Sequence, residues 1–213
     1  MSISVFVGDD HAVIREGLTQ LLNSHADFNV VGTACDGRDT VKQALKLRPD
    51  VIIMDIAMPG MNGIEATREI CDASPAAHVV ILSMHSAPEY VFHALEAGAQ
   101  GYVHKESAFD EIANAVRAVN TGRRYVSGKI ADSVAGQVVA GFGANPLSML
   151  SKREREVLQL VTESHSSIEI GEILHISSKT VDSYRSRLMH KLQIGDVPGL
   201  VKFAIQHGLT SIE

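Results

Sequence analysis

Cysteine is scarce in this chain. Its two cysteines, Cys35 and Cys71, lie far apart and form no C-x-x-C pair. That spacing carries neither a metal nor a redox signature, and nothing about it demands an oxidising compartment. Long apolar runs are missing too. No stretch approaches the roughly 20 residues that span a bilayer, and the opening "MSISVFVGDDH" turns acidic after a short apolar run, unlike a signal peptide. No membrane partner is expected, and the expected compartment is the cytoplasm. The ten histidines are scattered without ligand spacing, which argues against a metal site built from them. Gly128-Lys129 lacks the upstream glycine and the following Ser/Thr of a phosphate-binding loop.

An excess of positive charge is also absent. The net charge is −6, and residues 1–143 carry all of it, with 11 Lys/Arg against 17 Asp/Glu. Residues 144–213 are balanced at 8 and 8. The asymmetry suggests two parts, and neither is basic enough to announce nucleic acid by charge alone. What remains is ordinary for a soluble globular protein: 45% hydrophobic and 21% charged residues in a length of 213, enough for one large domain or two small ones.

From residue 3 to about 122, short apolar runs alternate with amphipathic stretches. The strand candidates are "ISVFVG" (3–8), "FNVVGTA" (28–34), "VIIMD" (51–55), "HVVILS" (78–83) and "GYVHK" (101–105). Helical patterns lie near 11–25, 37–48, 63–73, 87–98 and 108–121. Asn62 with Glu65, and Ser86 with Glu89, place a cap residue three positions before a Glu. Five strands alternating with five helices predict a doubly wound, five-stranded parallel sheet, whose ligands bind beyond the carboxyl ends of the strands. There the first strand runs into Asp9-Asp10, the third ends at Asp55, the fourth at Ser83 and the fifth at Lys105. Three carboxylates, a hydroxyl and an ammonium therefore converge on one edge.

Three acids in one pocket repel one another unless a cation sits among them, and hard oxygen ligands suit Mg²⁺. A carboxylate can then act as a nucleophile toward phosphorus, in chemistry that needs mainly positioning and charge neutralisation. A lysine supplies a point charge for phosphoryl oxygens. Met54, Met58 and Met61 form an apparent stripe that reads as loop and core filling.

The motifs "DDH", "MDIAMPGMNG", "LS" and "GYVHK", in that order, closely resemble the receiver domain of two-component response regulators, a flavodoxin-like α/β fold. The resemblance implies that Asp55 is the phosphoryl acceptor, and that Asp9, Asp10, Asp55 and the backbone carbonyl of Ala57 hold Mg²⁺. It further implies that Ser83 is the switch hydroxyl, Tyr102 the switch aromatic and Lys105 the phosphate-pairing lysine, with a sensor histidine kinase as donor. One departure is Glu106, where many receivers carry a proline in the cis form. A cis bond without proline costs roughly 2.5–4 kcal/mol, so none is assumed.

Residues 123–147 contain Gly136, Gly141, Gly143 and Pro146 and read as a linker, with a weak helix in part of it. From Leu150 the pattern is wholly helical. "SKREREVLQLV" opens with Ser151 and Glu154 as a capping box, and "SSIEIGEIL" repeats the device with Ser166 and Glu169. Four helices, the second and third joined by two or three residues, predict an all-α helix-turn-helix unit over 148–213. On the third helix Val181, Tyr184, Leu188 and Leu192 share one face.

"LSKREREVLQLV", "IEIGEILHIS" and "KTV..Y.....KL" resemble the LuxR-type DNA-binding domain, so the whole chain looks like a NarL/FixJ-type response regulator. The resemblance implies double-stranded promoter DNA as a partner, a homodimer on activation, and RNA polymerase as a further partner to consider. By position, Asp182, Ser183 and Ser186 face base edges, while Lys179, Thr180, Arg185, Arg187 and Lys191 are candidates for phosphate contact. The last helix, with Leu200, Val201, Ala204 and Ile205, occupies the position of the dimerisation helix. Here too the chain departs from pattern: Ser164 stands where the family usually has Gly, Ile168 where a Lys is frequent, and Asp182 where a basic residue is common.

Two other function classes fit parts of this picture. A phosphatase would use the same nucleophile but wants a second carboxylate close after it, which "DIAMPG" lacks. A binding module that acts through the receiver alone would leave the helix-turn-helix unexplained. The expected function is a phosphorylation-controlled transcription regulator whose only chemistry is its own phosphorylation and dephosphorylation.

Overall fold

The computed structural model describes residues 2–107, 109–128, 130–131, 146–207 and 209–210. The chain divides into two compact units, residues 1–141 and 142–213. Most of the expected linker, residues 132–145, lies outside the described residues.

The first unit alternates β1 (Ile3–Gly8), α1 (Ala12–Asn23), β2 (Phe28–Ala34), α2 (Gly37–Leu47), β3 (Val51–Asp55), α3 (Gly63–Ala73), β4 (His78–Ser83), α4 (Pro88–Glu96), β5 (Gly101–His104), α5 (Phe109–Asn120) and β6 (Tyr125–Val126). The strands form one parallel sheet in the order β2-β1-β3-β4-β5-β6. Strand alternation sends Ile52 and Met54 into a core with Val41, Ile64, Ile70 and Val91, and Val51 and Ile53 into a second core with Leu18, Leu22, Val116 and Val119. Helices α2, α3 and α4 thus cover one face, and α1 and α5 the other. β3 is central and buried along its whole length, which explains its unbroken apolar run. Met54, Met58 and Met61 are all buried in the first core.

Two expectations are corrected. The sheet has six strands rather than five: β6 extends it, with the Tyr125 N–H donating to the Gln100 carbonyl and the Ser127 N–H to the Tyr102 carbonyl. A two-residue strand is too short for periodicity to reveal. Ile130, beyond it, is fully buried in the first core. The other correction concerns α4, which begins at Pro88 with Ala87, not Ser86, in the cap position. Proline at the first helical position presets φ and keeps the residue before it out of the helical region.

The second unit opens with a 3₁₀ turn (Pro146–Met149), followed by α6 (Lys152–Thr162), α7 (Ser167–Leu174), α8 (Ser178–Leu192) and α9 (Val197–Gln206). Both capping boxes form, Ser151 with Glu154 and Ser166 with Glu169. Val157, Leu158, Ile170, Val181, Leu188 and Leu200 build a single core. Gly171 lets α7 meet the turn closely, since a β-carbon there would sit 2.7 Å from the Ile176 carbonyl oxygen. Ser164 lies in the left-handed region at φ 68°, where an L side chain is strained and glycine is favoured. No helix among the described residues is long and apolar enough to cross a membrane.

Candidate functional site

The carboxyl edge of the first sheet gathers the predicted residues. Gly63 brings the start of α3 against the end of β3, where a β-carbon would collide with the Asp55 carbonyl oxygen. Asn62 caps that helix by accepting from the Glu65 N–H at 2.9 Å. The β3–α3 loop between them is closed by the Ile56 carbonyl, which accepts from both the Met58 and Gly63 N–H groups. Ala57 sits in this loop, half-buried.

Asp9 and Asp55 are almost wholly buried, at 1% and 2% exposure, and the Lys105 ammonium bridges them at 2.9 and 2.8 Å. Burial pushes the Asp55 carboxyl up to about 6; Lys105 pulls it down, while Asp9 and Asp10 push it further up. For Lys105 burial works toward the neutral form, but the Asp55 and Asp9 carboxylates outweigh it and hold the ammonium above its ordinary value. Asp10 is more open and its carboxylate lies 2.7 Å from His11 Nδ1. The His11 N–H donates to Asp9 Oδ1 at 2.8 Å, so Asp9 also secures the entry to α1.

Asp9, Asp10, His11 and Asp55 offer ligand atoms within 4.8 Å of one another. Three carboxylates against one ammonium leave the pocket negative, and their oxygens are the donors a small hard divalent cation selects. His11 was not anticipated as part of this cluster. Its signal was adjacency to two acids rather than histidine spacing.

Ser83 and Tyr102 stand beside the pocket on β4 and β5. Ser83 Oγ accepts from the His85 N–H at 3.1 Å, and the Tyr102 hydroxyl donates to the His85 carbonyl at 2.8 Å. Tyr102 is fully buried, and burial raises its phenol well above the ordinary value, the Ser83 hydroxyl pulling the other way. All described peptide bonds are trans, that between Lys105 and Glu106 included.

In the second unit, α8 buries Val181 and Leu188 and half-buries Tyr184 and Leu192, as its periodicity predicts. Lys179, Asp182, Ser183, Ser186 and Arg187 are exposed, and Thr180 and Arg185 half-buried. Four candidate side chains have hydrogen-bond partners within the protein: Thr180 Oγ1 lies 2.8 Å from Ser177 Oγ, Ser183 Oγ donates to the Lys179 carbonyl at 2.9 Å, and Lys191 and Asp182 reach other elements. Lys191 donates to Glu154 Oε2 at 2.7 Å and to the Met149 carbonyl at 3.1 Å. Burial pushes the Glu154 carboxyl up, yet the bonds from Lys191 and Ser151 prevail and hold it below the usual carboxylate range. Asp182 Oδ1 accepts from Ser167 Oγ at 2.7 Å, joining α8 to the start of α7. The guanidinium of Arg187 lies 5.9 Å from the centre of the Tyr184 ring. On α9, Leu200 and Ala204 are buried in the unit's own core, which leaves Val201 and Ile205 as its half-buried outward residues.

Comparison with known proteins agrees with both halves of this geometry. Residues 5–117 match the response regulator receiver domain, and residues 148–204 match the luxR family of bacterial regulatory proteins. The oxygen regulatory protein NreC of Staphylococcus epidermidis is 37% identical over 215 residues, covering 97% of this chain and 99% of that protein. A LuxR-family two-component response regulator from Aurantimonas, 36% identical, superposes with a TM-score of 0.63 over 65% of this chain and 99% of its own. A solved complex of the response regulator RcsB with DNA, 25% identical, gives a TM-score of 0.60 over 97% of this chain and 99% of its own. This chain belongs to the two-component response regulators, with a receiver domain followed by a LuxR-type helix-turn-helix DNA-binding domain.

Proposed function

We propose that Asp55 accepts a phosphoryl group from a sensor histidine kinase, and that the phosphorylated protein dimerises and binds promoter DNA through α8. The observation that carries the reading is the Lys105 ammonium bridging Asp55 and Asp9 at the carboxyl end of a buried strand. An Asp55 carboxylate oxygen attacks the phosphorus of a phosphohistidine. A P–O bond forms as the P–N bond breaks, and the electron pair leaves with the imidazole, which takes up a proton. Lys105 offers its charge to the incoming phosphoryl oxygens, and Ser83 stands next to them as a hydroxyl partner. Asp9, Asp10 and Asp55, with the Ala57 carbonyl, would hold Mg²⁺, which neutralises charge on the transferring group. The chain's only chemistry is then its own phosphorylation and dephosphorylation.

On DNA, Ser183 and Ser186 face the bases, with Asp182 able to accept from a cytosine amino group. Lys179, Thr180, Arg185 and Arg187 reach phosphates. Lys191 is already engaged with Glu154 and contributes to the fold of the unit first. Val201 and Ile205 supply the outward face of the dimerisation helix. RNA polymerase is a further partner of such a regulator, and the cytoplasm its compartment.

Incubation with acetyl phosphate and Mg²⁺ tests the acceptor. The expected result is an acid-stable, base-labile phosphoryl adduct that mass spectrometry maps to Asp55, absent from Asp55→Asn and from samples with chelator. An adduct on another residue, or one that forms equally without Mg²⁺, would contradict the assignment.

A further inference from the structure

Beside Lys105 lies a residue that the phosphoacceptor chemistry leaves unused. His104 is the last residue of β5 and shares a face of that strand with the buried Tyr102. Its side chain is 13% exposed. Nε2 lies 2.9 Å from the Met84 carbonyl oxygen, and Nδ1 lies 3.2 Å from the Glu106 backbone nitrogen. A carbonyl only accepts and a backbone N–H only donates. The two partners therefore demand a hydrogen on Nε2 and a lone pair on Nδ1, which is one tautomer of the neutral ring.

From these contacts we infer that His104 is a positioning residue for phosphoryl transfer: its neutral ring clasps the loop after β4 to the loop after β5 and so holds Lys105 against Asp55. The inference rests on the reading of Asp55 as acceptor. Met84 follows the switch hydroxyl Ser83, and Glu106 follows Lys105, so the ring ties together the segments that carry both. A second bond runs the same way, from the Lys105 N–H to the Ser83 carbonyl at 2.8 Å. The Ser107 N–H closes the turn onto the His104 carbonyl at 2.9 Å. Glu106 is the departure from pattern noted in the sequence, and it fits this device. A proline at that position has no N–H and would leave Nδ1 without its donor. The chain thus exchanges a stiff loop for one held by a side chain.

Glutamine is the informative replacement, because its amide offers an N–H and a carbonyl oxygen on one side chain and can serve both partners. Leucine fills a similar volume and serves neither. The rate of Asp55 phosphorylation by acetyl phosphate at fixed Mg²⁺ is measured for the parent, His104→Gln and His104→Leu, with the apparent Mg²⁺ affinity of each taken by calorimetry. Losing a pair of hydrogen bonds that orient a reacting group slows transfer by about three- to tenfold. The expected result is that slowing in His104→Leu at unchanged Mg²⁺ affinity, with His104→Gln within about twofold of the parent. Equal rates for parent and His104→Leu, or His104→Gln as slow as His104→Leu, would overturn the inference. Long-range proton–nitrogen NMR of the parent imidazole provides a second reading, independent of phosphorylation and of how the variants fold. It should show a protonated Nε2 and a bare Nδ1 at His104, and the opposite tautomer or a doubly protonated ring at neutral pH would overturn the clasp. Failure of the parent to accept phosphate would strike the acceptor assignment alone, with the tautomer still deciding the clasp.

Discussion

Asp55 is 2% exposed, touches one ammonium and has two further carboxylates nearby, and burial raises its carboxyl to about 6. Without a divalent cation, the folded protein holds this proton more tightly than the unfolded chain between roughly pH 3.8 and 6. Stability therefore falls as pH rises through that window, and the cost is fully present above it. Asp55→Asn removes the buried charge. In chelator at pH 7.5 it should be more stable than the parent by about 1–3 kcal/mol, and the difference should close toward pH 4. Thermal melts at the two pH values check this, and a difference that ignores pH would contradict it. The residue's role was legible in the sequence only together with Asp9, Asp10, Ser83 and Lys105, since one acid ending an apolar run can equally be a solvated strand end or a helix cap. Its partners were legible only through the strand ends. Lys105 and Asp9 lie far apart along the chain, and a parallel sheet brings them within 2.9 Å.

Helix starts were the most readable features at the level of elements, because a capping box is local. Ser151–Glu154 and Ser166–Glu169 form as their spacing predicts. What lay hidden were bonds between elements, since no local pattern encodes them. Ser167 and Asp182 are 15 residues apart, and Glu154 and Lys191 are 37 apart. On α8 this separates two lysines that the sequence pattern treats alike. Lys191→Ala removes a tie between α8 and α6 and should lower the stability of the C-terminal unit by about 1 kcal/mol. Lys179→Ala should leave stability unchanged. It should weaken DNA binding across sequences and reduce the log–log salt slope by about 0.9. Thermal melts and salt-dependent DNA titrations of both variants check the distinction, and identical behaviour would contradict it. β6 was invisible for the same reason: with two residues, its pairing with β5 is tertiary and not periodic.

The whole molecule joins an acidic half, which takes all of the net charge of −6, to a DNA-binding half of balanced charge. A neutral domain is expected to neutralise few phosphates and to bind DNA weakly as a single copy. On the proposed reading, two copies on one site supply the affinity, and phosphorylation would act by changing the dimer population rather than the contacts of each copy. The division into two units was visible in the charge asymmetry and in the change from alternating strands to continuous helices. The strand β6 and the buried Ile130 lie in the segment expected as a linker, because short runs of small and apolar residues look alike whether they pack or not.

The central claim is that phosphorylation of Asp55 controls DNA binding. The most direct test is the fluorescence anisotropy of a DNA fragment selected in vitro for binding to this protein, titrated with parent and with Asp55→Asn, with and without acetyl phosphate and Mg²⁺. The account predicts that the phosphodonor tightens binding by the parent by about tenfold or more and leaves Asp55→Asn unchanged. Equal affinity of the parent in both conditions, or an equal gain in Asp55→Asn, would contradict it.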